Sequence, residues 1–197
     1  LIHEGEAIFR LSAHALQIDA DAHDRKLQIC FWLMHTNQAY FLHRLGRSDE
    51  AHALLQQAVT QLEALQEEYV LSVSLRYLGL TTWINGRFDE TFQLLRRSID
   101  LAARQQDLWG VAISQAYLGV NMRGSGQLVE AMEQLTVVLS LAQTIGDPRL
   151  IAYTLLAAGR TNLYLGKLSE ASEQLATCLE IAQETNDFFN ITNSSLF

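Results

Sequence analysis

Four glycines, Gly46, Gly86, Gly126 and Gly166, stand forty residues apart without slippage. Four residues after each comes an acid: Glu50, Glu90, Glu130 and Glu170. The next columns are Ala51, Thr91, Ala131 and Ala171, then Leu55, Leu95, Leu135 and Leu175, then Val59, Ile99, Leu139 and Leu179. A later acidic column holds Glu67, Asp107, Asp147 and Asp187, and a second glycine column holds Gly79, Gly119 and Gly159 with Ala39 in the earlier place. Self-similarity at a fixed period of roughly 20–50 residues is the signature of stacked units, each too small to bury its own apolar face.

Within a unit the apolar spacing is helical. Ala171, Leu175, Cys178, Leu179 and Ala182 recur at intervals of three or four, one stripe of a helix. The glycine at 46, 86, 126 or 166 ends a preceding helix, since glycine enters the left-handed region without a Cβ clash. Ser169, Asp49 and Asp89 are expected to cap the following helix, with the glutamate column in its first turn. Asp147-Pro148 reads as an N-cap followed by proline at the first helical position. Each unit is therefore expected to be two antiparallel helices, with the small columns marking close helix–helix approach. Stacking gives an all-α, right-handed superhelical solenoid of about ten helices.

The expected organisation is one repeat domain over 1–197. Residues 1–26 form the second helix of a preceding unit, residues 27–68, 69–107, 108–147 and 148–187 are four units, and 188–197 begins another. The chain opens on Leu1 rather than Met, and the units at both ends are interrupted. Both features suggest a segment of a longer polypeptide whose open array ends would allow self-association.

These columns resemble the tetratricopeptide repeats, whose consensus places Leu-Gly in the first helix, then a glycine turn, then Ala-x3-Phe. Leu78-Gly79, Gly86 and Thr91-x3-Leu95 match, as do Leu118-Gly119, Gly126 and Ala131-x3-Leu135, and Ala158-Gly159, Gly166 and Ala171-x3-Leu175. The likeness covers essentially the whole chain. It departs in period, forty against about 34. It also departs in the consensus tryptophan, replaced by His35, Leu75, Gln115 and Leu155, and in the consensus tyrosine, replaced by Leu42, Thr82, Met122 and Asn162. Arrays of this long type are similar to those of large bacterial signal-transduction ATPases and transcriptional regulators.

Charge and motifs narrow the function. With a net charge of −8 and only two lysines, Lys26 and Lys167, the segment lacks the basic patch that direct nucleic-acid binding requires. Cys30 and Cys178 fit no metal spacing and read as free thiols, consistent with a cytoplasmic location. No apolar stretch approaches the ~18 residues that a membrane-spanning helix requires, and no leader pattern opens the chain. His35 and His43 lie on one expected helix, while His14, His23 and His52 are scattered, and none completes a metal-ligand set. Gly124-Ser125-Gly126 reads as a turn between helices rather than a phosphate loop, because no strand precedes it. The Asn190 and Asn193 triplets match glycosylation acceptors without a secretion signal. No cofactor, metal or catalytic constellation is expected, and the segment is read as non-enzymatic.

The resemblance implies that the first helix of each unit lines a concave wall. Carried over by position, that wall holds Leu33, Thr36, Tyr40, His43 and Arg44, then Val73, Arg76, Leu80, Trp83 and Ile84. It continues with Ile113, Ala116, Val120 and Arg123, then Tyr153, Leu156, Arg160, Leu163 and Tyr164. Leu33, Val73, Ile113 and Leu156 are expected to pack the seam between units. The candidate partner-binding residues are Tyr40, His43, Arg44, Arg76, Trp83, Arg123, Tyr153, Arg160 and Tyr164. Arginine with tyrosine and tryptophan is a combination that anchors interfaces, and guanidinium pairs well with carboxylate. The arginines are either such anchors or cations solvated or paired within the chain. The expected role is a protein-interaction scaffold binding a peptide or protein segment, in trans or from its own polypeptide. The alternative is an effector-sensing domain of a bacterial transcriptional regulator that binds a small molecule.

Overall fold

The computed structural model describes residues 2–19 and 24–194, and ten helices run through them. They are α1 (Ile2–Asp19), α2 (Arg25–Arg44), α3 (Ser48–Ala64), α4 (Glu68–Ile84), α5 (Phe88–Arg104), α6 (Leu108–Gly124), α7 (Leu128–Ile145), α8 (Pro148–Tyr164), α9 (Leu168–Glu184) and α10 (Phe188–Ser194). No strand occurs among the described residues. The even-numbered helices are the first helices of the repeat hairpins and the odd-numbered ones the second. Arg25 opens α2 inside the stretch assigned above to the preceding unit, and His23 lies outside the described residues.

The helices fall into two compact units, Leu1–Asp107 with α1 to α5 and Leu108–Phe197 with α6 to α10. In the first, Ala58, Leu62, Val70, Leu71, Leu75 and Leu101 form one buried cluster, with Leu33 packed against it. A second joins Ala39, Leu42, Ala51, Leu55 and Leu78. In the second unit Leu156 packs with Ala152, Leu155, Leu175 and Cys178, and Ile113 packs with Ala112, Ala142 and Leu150. Burying each large aliphatic side chain is worth about 1.5–3 kcal/mol, which is why one hairpin cannot stand alone.

The inner glycine column has a steric cause. A β-carbon on Gly79 would meet Leu95 Cδ2 at 3.1 Å, and one on Gly119 or Gly159 would meet Leu135 or Leu175 Cγ at 2.8 Å. The leucine column of the second helix thus lies directly against the glycine column of the first. Ala51, Ala131 and Ala171 are fully buried, and Thr91, their counterpart, donates its hydroxyl to the Arg87 carbonyl at 3.1 Å.

The outer glycines close the hairpins. Gly46, Gly86, Gly126 and Gly166 all have positive φ, between 71° and 85°. After α2, the Gly46 N–H donates to the His43 carbonyl at 3.0 Å and the Arg47 N–H to Leu42 at 2.9 Å, a Schellman closure that recurs after α4, α6 and α8. The turns out of α3, α5 and α9 use the same closure with a non-glycine residue in the left-handed region: Gln66 at φ 53°, Gln106 at 58° and Asn186 at 53°. In the corresponding place α7 ends on Gly146 at φ 75°.

Capping differs from expectation. The N-cap positions of α3, α5 and α9 are Arg47, Arg87 and Lys167, with no side-chain cap bond, so Asp49, Asp89 and Ser169 lie inside the first turn. The Schellman closure leaves no residue between glycine and the cap, which moves the helix start earlier than the polar residues suggest. Asp147 does cap α8, accepting from Leu150 N at 3.0 Å, with Pro148 at the first helical position. Asp24 likewise accepts from Lys26 N at 2.8 Å at the start of α2.

One helix corrects the reading that no stretch has a spanning helix's length and apolarity. The 18 residues of α7 have a mean hydropathy of 1.2, enough to cross a membrane by length and composition. In the fold, its Ala131, Leu135, Val138 and Ala142 are buried, and it packs between α6 and α8.

Candidate functional site

In the first unit the predicted residues of α2 and α4 divide into two kinds. Tyr40 stacks on Tyr77 with centroids 4.9 Å apart and 28° between the planes, and meets Phe41 edge-on at 5.6 Å. Arg44 Nη1 donates to the Tyr40 hydroxyl at 2.9 Å. His43 is half-buried beside Ser48, its Nδ1 3.4 Å from the serine hydroxyl, and burial followed by the Arg44 charge lowers its pKa. Trp83 is half-buried in the last turn of α4, and its indole N–H is buried without an acceptor among the described residues.

Arg76 corrects the sequence reading. It is 3% exposed and lies 5.4 Å from the Tyr77 ring centroid, so it is an internal cation and not a partner-facing one. Its column was informative: Thr36, Ala116 and Leu156, at the equivalent positions, are also buried and are mostly small or apolar.

The second unit gathers four of the predicted residues. Tyr153, Ala157, Arg160 and Tyr164 follow one another at helical spacing along one stripe of α8. Arg123, reaching across from α6, donates from Nη1 to the Ala157 carbonyl at 3.2 Å, placing its guanidinium on that stripe. Burial lowers the Arg123 pKa, the nearby Arg160 charge lowers it further, and Tyr153 and Tyr164 oppose the shift. Two like charges thus share one patch with two phenols. Tyr164 is 67% exposed, while Arg123, Tyr153 and Arg160 are half-buried.

A ring ladder borders this patch. Tyr117 meets Tyr153 edge-on at 5.3 Å, and Tyr153 stacks on Phe189 at 6.4 Å. Tyr77, Tyr117 and Phe189 were missed because contacting rings lie 36 or 37 residues apart, not forty. Within each unit the first helices in contact are offset by about one turn, so these contacts run diagonally across the repeat columns. A search at the period less one helical turn would have found them.

Charge in this unit is segregated by helix. α6, α8 and α10 carry no Asp or Glu, and their cations are Arg123, Arg149 and Arg160. α7 and α9 carry no Lys or Arg, and their charges are Glu130, Glu133, Glu170, Glu173, Glu180 and Glu184. Elsewhere, an open depression of about 600 Å³ is lined by Ile145, Gly146, Asp147, Pro148, Arg149 and Thr185 and includes none of the predicted wall residues. Trp109 Nε1 donates to Asp147 Oδ2 at 3.0 Å at the same turn. Among the described residues no group of three His, Cys, Asp or Glu side chains could hold a metal ion.

This arrangement of repeated hairpins defines a tetratricopeptide-like all-α solenoid fold. The chain is similar to BtubC (BKLC) from P. vanneervenii at 17% identity and a TM-score of 0.72, over 95% of this chain and 75% of that one. It is similar to a candidate kinesin light chain of Podosopora anserina with nearly identical TPR-like repeats, at 20% identity and a TM-score of 0.64, over 94% and 88%. It also resembles aspartyl phosphate phosphatase F from Bacillus subtilis, at 13% identity and a TM-score of 0.60, over 99% and 58%. At these identities the likeness is one of fold. No protein-family model matches the chain, and no curated protein does.

Proposed function

We propose that the chain is a non-enzymatic interaction module whose first helices bind a peptide or protein segment, from a partner or from its own polypeptide. A regulatory protein carrying such a module would supply that segment in cis. The observation that carries the proposal is the patch of Arg123, Tyr153, Arg160 and Tyr164, where two cations and two phenols meet on one half-exposed face. Arginine and tyrosine anchor interfaces because each presents a large, rigid, partly apolar surface with directional donors. α6, α8 and α10 also carry no carboxylate, histidine or cysteine, so this face offers cations, hydroxyls and rings but no strong general base or thiol nucleophile. The phosphatase name borne by one structural neighbour belongs to a protein only 13% identical.

Selection of peptides from a random display library on the 197-residue chain tests this reading. Selected peptides are expected to lose about tenfold in affinity with Arg160→Glu or Tyr164→Ala. They should keep their affinity with Glu133→Lys on α7. Binders that ignore both first-helix substitutions and follow the α7 one would overturn it.

A further inference from the structure

The turn between α4 and α5 carries a chemical feature that its counterparts lack. Its glycine, Gly86, follows Asn85, whereas Gly46, Gly126, Gly146 and Gly166 follow Leu45, Ser125, Ile145 and Leu165. This is the one Asn-Gly pair in the sequence. Asn85 and Gly86 are both exposed, and a β-carbon on Gly86 would meet nothing within 4 Å, so solvent reaches the peptide freely. The closure around the pair is also the loosest of the four glycine hairpins. The Arg87 N–H donates to the Thr82 carbonyl at 3.4 Å, against 2.9 Å for Arg47 to Leu42, Gln127 to Met122 and Lys167 to Asn162. The usual range for such a bond is roughly 2.7–3.2 Å, so the Arg87 bond holds its turn less firmly than the others do.

We propose that Asn85 is a site of spontaneous deamidation, gated by local opening of this turn. Hydroxide removes the Gly86 amide proton, and the nitrogen attacks the Asn85 side-chain carbonyl carbon. The new C–N bond closes a five-membered succinimide, and the side-chain amide nitrogen takes up a proton and leaves as ammonia. Water then adds to either ring carbonyl and breaks its bond to nitrogen, giving aspartate or isoaspartate. The net change is an amide and water to a carboxylic acid and ammonia, with nothing oxidised or reduced. Glycine assists because no β-carbon shields its nitrogen. The closed turn opposes the reaction. At ψ 7° for Asn85 the Gly86 nitrogen lies beside the Asn85 backbone nitrogen, and its N–H donates to the Trp83 carbonyl at 2.9 Å. Ring closure needs that nitrogen beside Cβ, at a ψ of about −120°, which lies between the helical and extended wells. The reaction therefore waits for the turn to open, and the loose Arg87 bond lets it do so without unfolding the core. Either product places a carboxylate at the C-terminal end of α4, where the helix dipole is already negative. Isoaspartate also lengthens the turn backbone by one carbon, which loosens the last turn of α4, where Trp83 lies.

The test incubates the whole chain at pH 8 and follows each asparagine by tryptic peptide mapping, with parallel samples at low urea and fully unfolded. Aspartate and isoaspartate are expected at Asn85 ahead of every other asparagine, about tenfold more slowly in the folded chain than in the unfolded one. At urea concentrations below the unfolding transition the rate should stay near its value without urea, because opening one turn exposes little surface. The Arg87 amide should exchange its hydrogen faster than the amides of Arg47, Gln127 and Lys167. Asn85→Gln should abolish the modification with the thermal midpoint unchanged, since the longer side chain would have to close a six-membered ring. Faster modification at another asparagine would overturn the assignment of the site. Equal rates in the folded and unfolded chains, or a rate that tracks the unfolded population through low urea, would overturn the gating by the turn.

Discussion

Gly119 on α6 lies so close to Leu135 on α7 that a β-carbon would come within 2.8 Å of the leucine Cγ. Leu135 is fully buried, so it cannot swing aside into solvent. Gly119→Ala is therefore expected to destabilise by about 1–3 kcal/mol through overpacking, more than the gain of about 1 kcal/mol from helix propensity. A lower urea midpoint with an unchanged slope would show it. Gly79→Ala, where the approach is 3.1 Å, should have a smaller effect.

Gln106 holds φ at 58°, in a place where Gly146 serves the repeat that follows. A non-glycine residue in the left-handed region is strained by about 1–2 kcal/mol, partly offset on replacement by the greater freedom of glycine in the unfolded chain. Gln106→Gly should raise the urea midpoint. A fall would mean that the glutamine side chain contributes more than its backbone strain takes away.

Asp147 caps α8 through Leu150 N and also accepts the Trp109 indole N–H, each at 3.0 Å. Asp147→Ala is expected to lose about 1–2 kcal/mol and to shift the Trp109 emission, because both bonds vanish together. Asp147→Asn keeps an acceptor and should retain most of the stability.

His35, His43 and His52 are all held below the ordinary imidazole value of 6.5, chiefly by burial. The unfolded chain takes up protons near 6.5 while the folded chain does so only at lower pH. Their contribution to stability is therefore complete above that pH and is lost as pH falls through the folded values. Urea midpoints should be lower at pH 5.5 than at pH 7.5, by a difference that narrows in His43→Gln. An unchanged difference would remove His43 from the account.

Cys178 is fully buried, and loss of solvent pushes its thiol up to about 11, against a weaker opposing hydrogen bond with Ser194. Cys30 is exposed. Iodoacetamide at pH 8 should add one label to the folded protein, at Cys30, and a second only after unfolding. Early double labelling would show that the α8–α9–α10 packing opens readily.

Local chemistry set most of the fold in advance. The forty-residue columns located the hairpins, the glycine turns and the close helix approach at the small columns, because each depends on residues close together in one unit or its nearest neighbour, while the leucines that meet the glycines emerged only from the packing. Helix starts were less legible. Asp49 and Asp89 have the chemistry of caps, but the backbone closure before them decided the position.

The candidate site depended far more on the tertiary structure. By itself the sequence determined that Arg76, Arg123 and Arg160 lie on first helices in an otherwise acidic repeat array. It did not determine which of them faces outward, because an apolar stripe is broad enough to contain both the seam between helices and the surface beside it. Packing decided that: Arg76 falls in a column closed on all sides, whereas Arg123 bridges to Ala157 and shares the α8 stripe with Arg160. The same offset between neighbouring helices brings Tyr117, Tyr153 and Phe189 together across intervals that the repeat period hides. Periodicity is a property of the chain, but proximity between helices depends on their offset, which arises only when one helix packs against the next.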